Sequence, residues 1–267
     1  MFLPTPRCDF HSLTRRSSAQ IAALSKDPGV VILPIGAVEQ HGPHLPLHTD
    51  CLVAEAVLER TLGLLPEESP VWVLPTLAYT KSNEHVGFAG TIALKATTLI
   101  ETLTQVAENL AQSGFKRLVL LNGHGGNPAV LDIVARDVRQ LADLLVFPVT
   151  PFRLLGDLSH LFDPEELRFG IHAGDFETSI LLAIAPEQVQ VEAYIAELPA
   201  VRKSLNLLDI EGGLGFGWLT SDLSKSGVLG DPRPATAAKG EEVLDLMAQK
   251  LAPALLEICA FSLPQPG

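Results

Sequence analysis

Short, uninterrupted apolar runs alternate along this chain with stretches of helical periodicity, and this alternation narrows the choice of fold more than any other feature. Val30-Val31-Ile32-Leu33-Pro34-Ile35 is continuous and rich in β-branched residues. Such a run reads as a strand buried on both faces. CLVAEAVLERTLGLL follows from Cys51 with helical spacing, and Thr49 and Asp50 ahead of it are residue types that cap helices. Val71-Trp72-Val73-Leu74-Pro75, the run from Lys116 to Leu121, and LLVFPVT from Leu144 are three further strand candidates. Between them lie ATTLIETLTQVAENLAQ, closed by Ser113-Gly114, and a helix that Asn127 caps and Pro128 opens. This pattern predicts a three-layer α/β/α sandwich around a mainly parallel sheet, as one domain over residues 1–267.

After Thr150 the pattern loosens. HAGDFETSILLAIAPEQV holds another helix, with Asp175 in or just before its first turn and Pro186 near its end. Residues 210–234 are rich in Gly and turn formers and read as a long functional loop near the site. A last helix is expected over 235–258, with Pro253 as a candidate kink.

Composition removes several function classes. At 47% hydrophobic and 19% charged residues the chain can bury a large core. A net charge of −12 with no basic stripe argues against nucleic acid as a partner. No uncharged apolar run reaches the ~18 residues of a membrane helix, and the first residues lack the pattern of a signal peptide. Cys8, Cys51 and Cys259 form no metal or redox spacing and read as reduced thiols. The expectation is a cytoplasmic protein with no membrane partner.

In parallel sheets, ligands bind beyond the carboxyl ends of the strands. Two unusual segments sit at such ends. LPIGAVEQHGPHLPLHTD places Glu39, His41, His44, His48 and Asp50 within twelve residues, in a chain with only eight histidines. NGHGGN places His124 in a turn where Gly123, Gly125 and Gly126 permit close backbone approach. Glu39 and His41 are two apart, so on a strand they would share a face. Asp50 can return from the next helix, and Glu177 lies near the first turn of a later one. These side-chain types bind divalent metals. Glu39, Asp50 and Glu177 supply three negative charges against the four of two divalent ions, and a bridging hydroxide balances the rest. Two metals sharing a carboxylate and a hydroxide form a hydrolytic site.

Each residue also has a plainer reading. Glu39 can be a strand-end charge, His41, His44 and His48 loop histidines, Asp50 a helix cap, and Glu177 a solvated helix charge. His124 can flank a phosphate-binding turn, although NGHGGN matches neither GxGxxG nor the P-loop. A metal- or nucleotide-binding module and a structural scaffold are the non-enzyme alternatives.

Five motifs carry a resemblance. GAVEQHGPHLPLHTD, SNEHVGFAGTI at 82–92, NGHGGN, HAGDFETS and GVLGDPRPAT at 227–236 resemble, in that order, the creatininase family of metal-dependent amidohydrolases. The resemblance implies a three-layer α/β fold, two divalent metals (zinc, manganese or iron) and hydrolysis of a non-peptide C–N bond in a cyclic amide or formamide. It places the ligands at Glu39, His41, Asp50, His124 and Glu177, with Asp50 bridging, one metal near Glu39 and His124, and the other near His41 and Glu177. It makes His172 a substrate contact and proton carrier, with Glu177 beside it in catalysis, and puts Ser82 and Gly125 at substrate positions. It implies a homo-oligomer, a hexamer built as a trimer of dimers. His44 reads as support for a ligand, His48 as a bystander, and the pair Glu84 and His85 as pocket lining or a brace for the 80–90 loop. Two departures bear on substrate. Creatinine hydrolases carry Tyr-Glu where this chain has Gly125-Gly126, and Trp-Asp near Arg168-Phe169. A formamidopyrimidine-type deformylase and a peptidase trimming a peptide-derived cofactor precursor therefore stand beside creatinine hydrolysis as readings.

Overall fold

The computed structural model describes residues 10–211 and 213–264, so Cys8 lies outside the described residues. Four strands, β1 (Val30–Ile35), β2 (Val71–Val73), β3 (Arg117–Asn122) and β4 (Leu145–Val149), form one sheet in the order β2-β1-β3-β4. Every pairing is parallel, with Val31 opposite both Trp72 and Leu118, and Val119 opposite Phe147. Parallel neighbours need long crossovers. Helices α2 (Thr49–Leu64), α3 (Ala96–Gln112) and α4 (Pro128–Ala142) supply them, after a short α1 (Ser18–Ala23) that Ser17 and Gln20 cap reciprocally. The later chain adds α5 (Pro164–Phe169), α6 (Asp175–Ile184), α7 (Thr220–Leu223) and α8 (Ala237–Ala260).

β1 and β3 are buried at every position, as their unbroken apolar runs require. Side chains alternate across the sheet and so feed two cores. Val31, Leu33 and Leu118 pack against Leu99 of α3 and Leu131 of α4. Val30, Ile32 and Val119 pack on the other face against Leu58 of α2, Ile180 of α6 and Leu244 of α8. The three layers follow from that alternation. Truncating one such fully buried leucine to alanine costs about 2–5 kcal/mol.

Several local expectations are corrected. Thr49 and Asp50 do not cap α2. His48 holds the cap position, the Thr49 hydroxyl bonds back to the Pro46 carbonyl, and Asp50 lies inside the first turn with its carboxylate turned elsewhere. Asn127 precedes Pro128 as expected, but its amide donates to Asn122 Oδ1, 3.2 Å away, rather than capping α4. β2 ends at Val73, two residues before Pro75, which has no N–H to donate. α8 runs through Pro253 without a break. Pro253 and Gln249, whose carbonyl loses its partner, both lie on the exposed side where water can replace the bond.

Cys51 and Cys259 are buried free thiols, and burial pushes Cys51 up to about 12. Among the described residues no helix is long and apolar enough to cross a membrane.

Candidate metal centre

The chain leaves the sheet at the carboxyl end of β1 and bends rather than continuing as a strand. Glu39 and His41 therefore meet through a tight turn, not through strand alternation. The Glu39 N–H donates to Leu47 O at 3.0 Å, and His41 pairs across the turn with Pro43 and Leu45. Asp50 arrives on the first turn of α2. A Cβ at Gly123 would stand 2.5 Å from the Asp50 carbonyl, so only glycine at the exit of β3 lets that helix start so close. Asn122 holds the next turn. Its Nδ2 donates to His124 O at 2.8 Å and its Oδ1 accepts from His124 N at 3.2 Å. His172 sits in a short bridge to Leu229, and Glu177 on the first turn of α6.

The side chains converge. Glu39, Asp50 and His124 form one group of donor atoms lying within 4.8 Å of one another, and His41, His172 and Glu177 form a second. Asp50 stands between the groups, with Oδ1 3.2 Å from His41 Nε2 and Oδ2 3.0 Å from His124 Nδ1. A third group joins Glu39 and His172 to His85, which spacing left undecided. His48 belongs to none of the three.

The outer nitrogens of three histidines reveal what their inner nitrogens carry. His41 Nδ1 lies 3.1 Å from Glu39 O, His124 Nε2 2.8 Å from Lys81 O, and His172 Nε2 2.7 Å from Gln40 O. A carbonyl only accepts, so each outer nitrogen must be the N–H. In the neutral ring the inner nitrogen is then a bare lone pair, and each of these points at carboxylates. His124 Nδ1 faces Glu39 Oε1 at 3.3 Å as well as Asp50. Asp50 Oδ2 is buried and accepts no well-directed hydrogen bond. Lone pairs of rings and carboxylates aimed at one buried point repel unless protons or metal cations lie between them, so these residues fit a metal pair.

Electrostatics agree. Burial disfavours charge on His41, yet Asp50, Glu177 and Glu39 outweigh it and push the imidazole up to about 10. His124 also rises well above its ordinary value, burial again losing to Glu39 and Asp50. Burial would raise the Asp50 carboxyl, but His41 and His124 hold it far below the usual range. The centre therefore calls for positive charge. His172 behaves oppositely. Burial and the neighbouring His41 lower it to about 4, so it is neutral near pH 7.

Residues around the centre have distinct partners. The Ser82 hydroxyl donates to Glu39 Oε2 and so touches the acid directly. Gly125 is exposed beside open space. Gly126 is not: a Cβ there would collide with Glu84 Oε1 and crowd His124 Nε2. Glu84 thus occupies the space that a side chain at 126 would need, with its Oε2 3.0 Å from Lys81 Nζ. His44 lies behind the centre. Its Nε2 bonds Thr178, next to Glu177, at 3.0 Å, and its ring packs edge-on against Tyr194. Residues 227–229 of the Gly-rich stretch reach the centre, Leu229 through His172 and Gly227 through the Gln40 amide. Spacing missed Gln40 entirely, because its role depends on a loop almost two hundred residues away.

Known proteins carry the same architecture. The creatininase family profile, described as creatinine amidohydrolase, matches residues 14–255. A mycofactocin precursor peptide peptidase from Mycobacterium tuberculosis is 35% identical over 240 residues, 86% of each chain. A creatinine amidohydrolase from Pseudomonas putida is 30% identical over 85% of this chain and 89% of its own. A manganese creatininase structure superposes with a TM-score of 0.75 at 28% identity, covering 92% of this chain and 98% of its own. Fold, converging acids and histidines, and end-to-end similarity agree: the chain belongs to the creatininase family and is a hydrolase acting on C–N bonds.

Proposed function

We propose that this protein hydrolyses an amide with Glu39, His41, Asp50, His124 and Glu177 holding two divalent cations, Asp50 being shared between them. The observation carrying this reading is the position of Asp50, its two oxygens each within 3.2 Å of a histidine nitrogen in a different group. Zinc, manganese or iron suits such mixed His and carboxylate donors. Bound there, the cations lower the pKa of water and polarise a carbonyl oxygen.

The chain's own residues supply the proton transfers. His172 Nδ1 is unprotonated and faces Glu177 Oε2 at 4.0 Å, so it can take a proton and return it to the departing nitrogen. Glu177 accepts the Ala173 N–H at 2.6 Å, and burial together with the charge of Asp50 raises its carboxyl, which suits a group that shares protons. Ser82 orients Glu39, and the open space at Gly125 leaves room for substrate.

The substrate side favours an amide that carries a carboxylate. Arg168 and Arg202 both stack on Phe169, at 4.9 and 4.5 Å, and among the described residues neither has a carboxylate within 4.0 Å. Phe169 lies three residues before His172. Two guanidinium groups stacked on one ring, with Glu211 and Asp209 offsetting only part of the charge on Arg202, suit a short peptide-derived substrate better than a neutral cyclic amide such as creatinine. The test is a screen of metal-loaded protein against creatinine, N-formyl amino acids and short peptides with free carboxylates. Hydrolysis of a carboxylate-bearing amide that chelation abolishes and cation restores is expected. Turnover of creatinine alone would overturn the substrate reading, and no turnover of any amide would overturn the enzyme reading. The hexameric assembly is part of the same proposal, and sedimentation measures it.

A further inference from the structure

His85 is the fourth histidine of the centre, and its proton is set the opposite way from the other three. Gln40 sets that proton. Its Oε1 accepts the backbone N–H of Gly42 at 2.9 Å, and its Nε2 donates to the Gly227 carbonyl at 3.0 Å. A backbone N–H can only donate and a carbonyl can only accept, so these two bonds fix which end of the amide is nitrogen. The same Nε2 lies 2.8 Å from His85 Nδ1. That ring nitrogen must therefore accept. The Thr220 hydroxyl, 3.0 Å from it, can turn its hydrogen the same way. The proton of the neutral ring then sits on Nε2, which points into the centre 3.7 Å from Glu39 Oε1, beyond hydrogen-bond distance.

The ring has little freedom to escape this role. It stacks on His172 at 4.3 Å, and His172 stacks in turn on His41 at 4.2 Å. Gly227 has φ +89°, and a Cβ there would collide with Gln40 Oε1, so only glycine lets this loop close over the amide. Glu197 pins the loop just before Gly227 by accepting the Ser224 hydroxyl at 2.8 Å and the Ser226 hydroxyl at 2.6 Å.

We propose that His85 is a substrate-binding donor rather than a metal ligand: its Nε2–H takes an oxygen of the bound amide or its carboxylate, and Gln40 is the positioning residue that keeps the proton on Nε2. The group of Glu39, His85 and His172 is thus no third metal site, since a protonated nitrogen has no lone pair to give. The substrate class rests on the function proposed above, so the test reads protons, metal and a simple oxygen ligand without requiring turnover.

Histidine-selective 15N NMR of the metal-loaded protein should show His85 with hydrogen on Nε2, and sodium formate should shift that resonance. His85→Leu should keep two cations per chain by elemental analysis and bind formate about tenfold more weakly, the worth of one lost hydrogen bond. His85→Gln, whose amide restores a donor, should recover most of that affinity. Gln40→Glu replaces the donor by an acceptor and should move the ring proton to Nδ1. Hydrogen on Nδ1 in the natural protein, loss of a cation in both His85 variants, or formate binding indifferent to both would each overturn the proposal. A protein that binds formate as described but hydrolyses no amide would overturn the enzyme reading alone.

Discussion

The two groups of the centre are built from different parts of the fold. Glu39, Asp50 and His124 stand at the exits of β1 and β3 and on the first turn of α2, and the side chains of both acids are at most 4% exposed. His41, His172 and Glu177 come from a turn, a two-residue bridge and a later helix, and the Glu177 side chain is 24% exposed. The segment feeding the second group also stores strain. Ala173 has φ +53°, a left-handed conformation that costs a non-glycine residue about 1 kcal/mol, and its N–H is spent on Glu177. The contrast teaches a division of labour: the first turn of α2 and the exit of β3 bring Asp50 and His124 to the buried half, while the bridge at His172 and the first turn of α6 set the more exposed Glu177 against it.

Asp50 joins the halves, so its loss tests the comparison most severely. Asp50→Ala should release both cations and lower hydrolysis on the order of 10³-fold. Elemental analysis decides, and full occupancy would sink the shared-ligand assignment. Glu177→Gln should separate the halves. One cation per chain should remain, held by the buried group, with activity down about 10²-fold; two retained cations would mean that Glu177 is no ligand.

Smaller effects probe the packing around each half. Gly126→Ala should destabilise the buried half by about 1–3 kcal/mol, because the new methyl meets Glu84 and His124. Adding Glu84→Ala should return part of that loss in thermal unfolding, the His124 ring and the Lys81 carbonyl keeping the rest, and strict additivity would show that Glu84 is no obstacle. On the open half, burial would raise Glu197, but the hydroxyls and amides of Ser224, Lys225 and Ser226 lower it to about 2, below its ordinary value of 4.5. A folded value below the unfolded one means that the clamp is complete above pH 4.5 and fails as pH falls toward 2. Glu197→Gln should flatten stability across that window while leaving the neutral range nearly level. An unchanged acid limb in urea titrations would remove Glu197 from the account.

The regular half was largely legible in the residues. The continuous run at 30–35 and the helical period at 96–112 predict their elements to the residue, because complete burial and amphipathic spacing leave direct traces in composition. Asp50 was harder to place. Its residue type suits a cap, yet the backbone donor it would have capped loses to the two histidines facing it. His85 and Gln40 left no spacing signal, since their bonds join segments 45 and 187 residues apart. The space at Gly126 was unreadable too, for glycine there records an absence that only the positions of Glu84, His124 and the Lys81 carbonyl explain.

By itself, then, the sequence determined the layered α/β fold, the strand ends where a site belongs, and the inventory of acids and imidazoles that give the centre its chemistry. Those are local properties, set by hydrophobic period and residue type. Only the tertiary structure decided that Asp50 stands between the groups, that Glu84 fills the space beside Gly126, and where each histidine carries its proton. Such assignments depend on which carbonyl or amide lies within about 3 Å of a ring nitrogen, and folding alone brings those distant partners together.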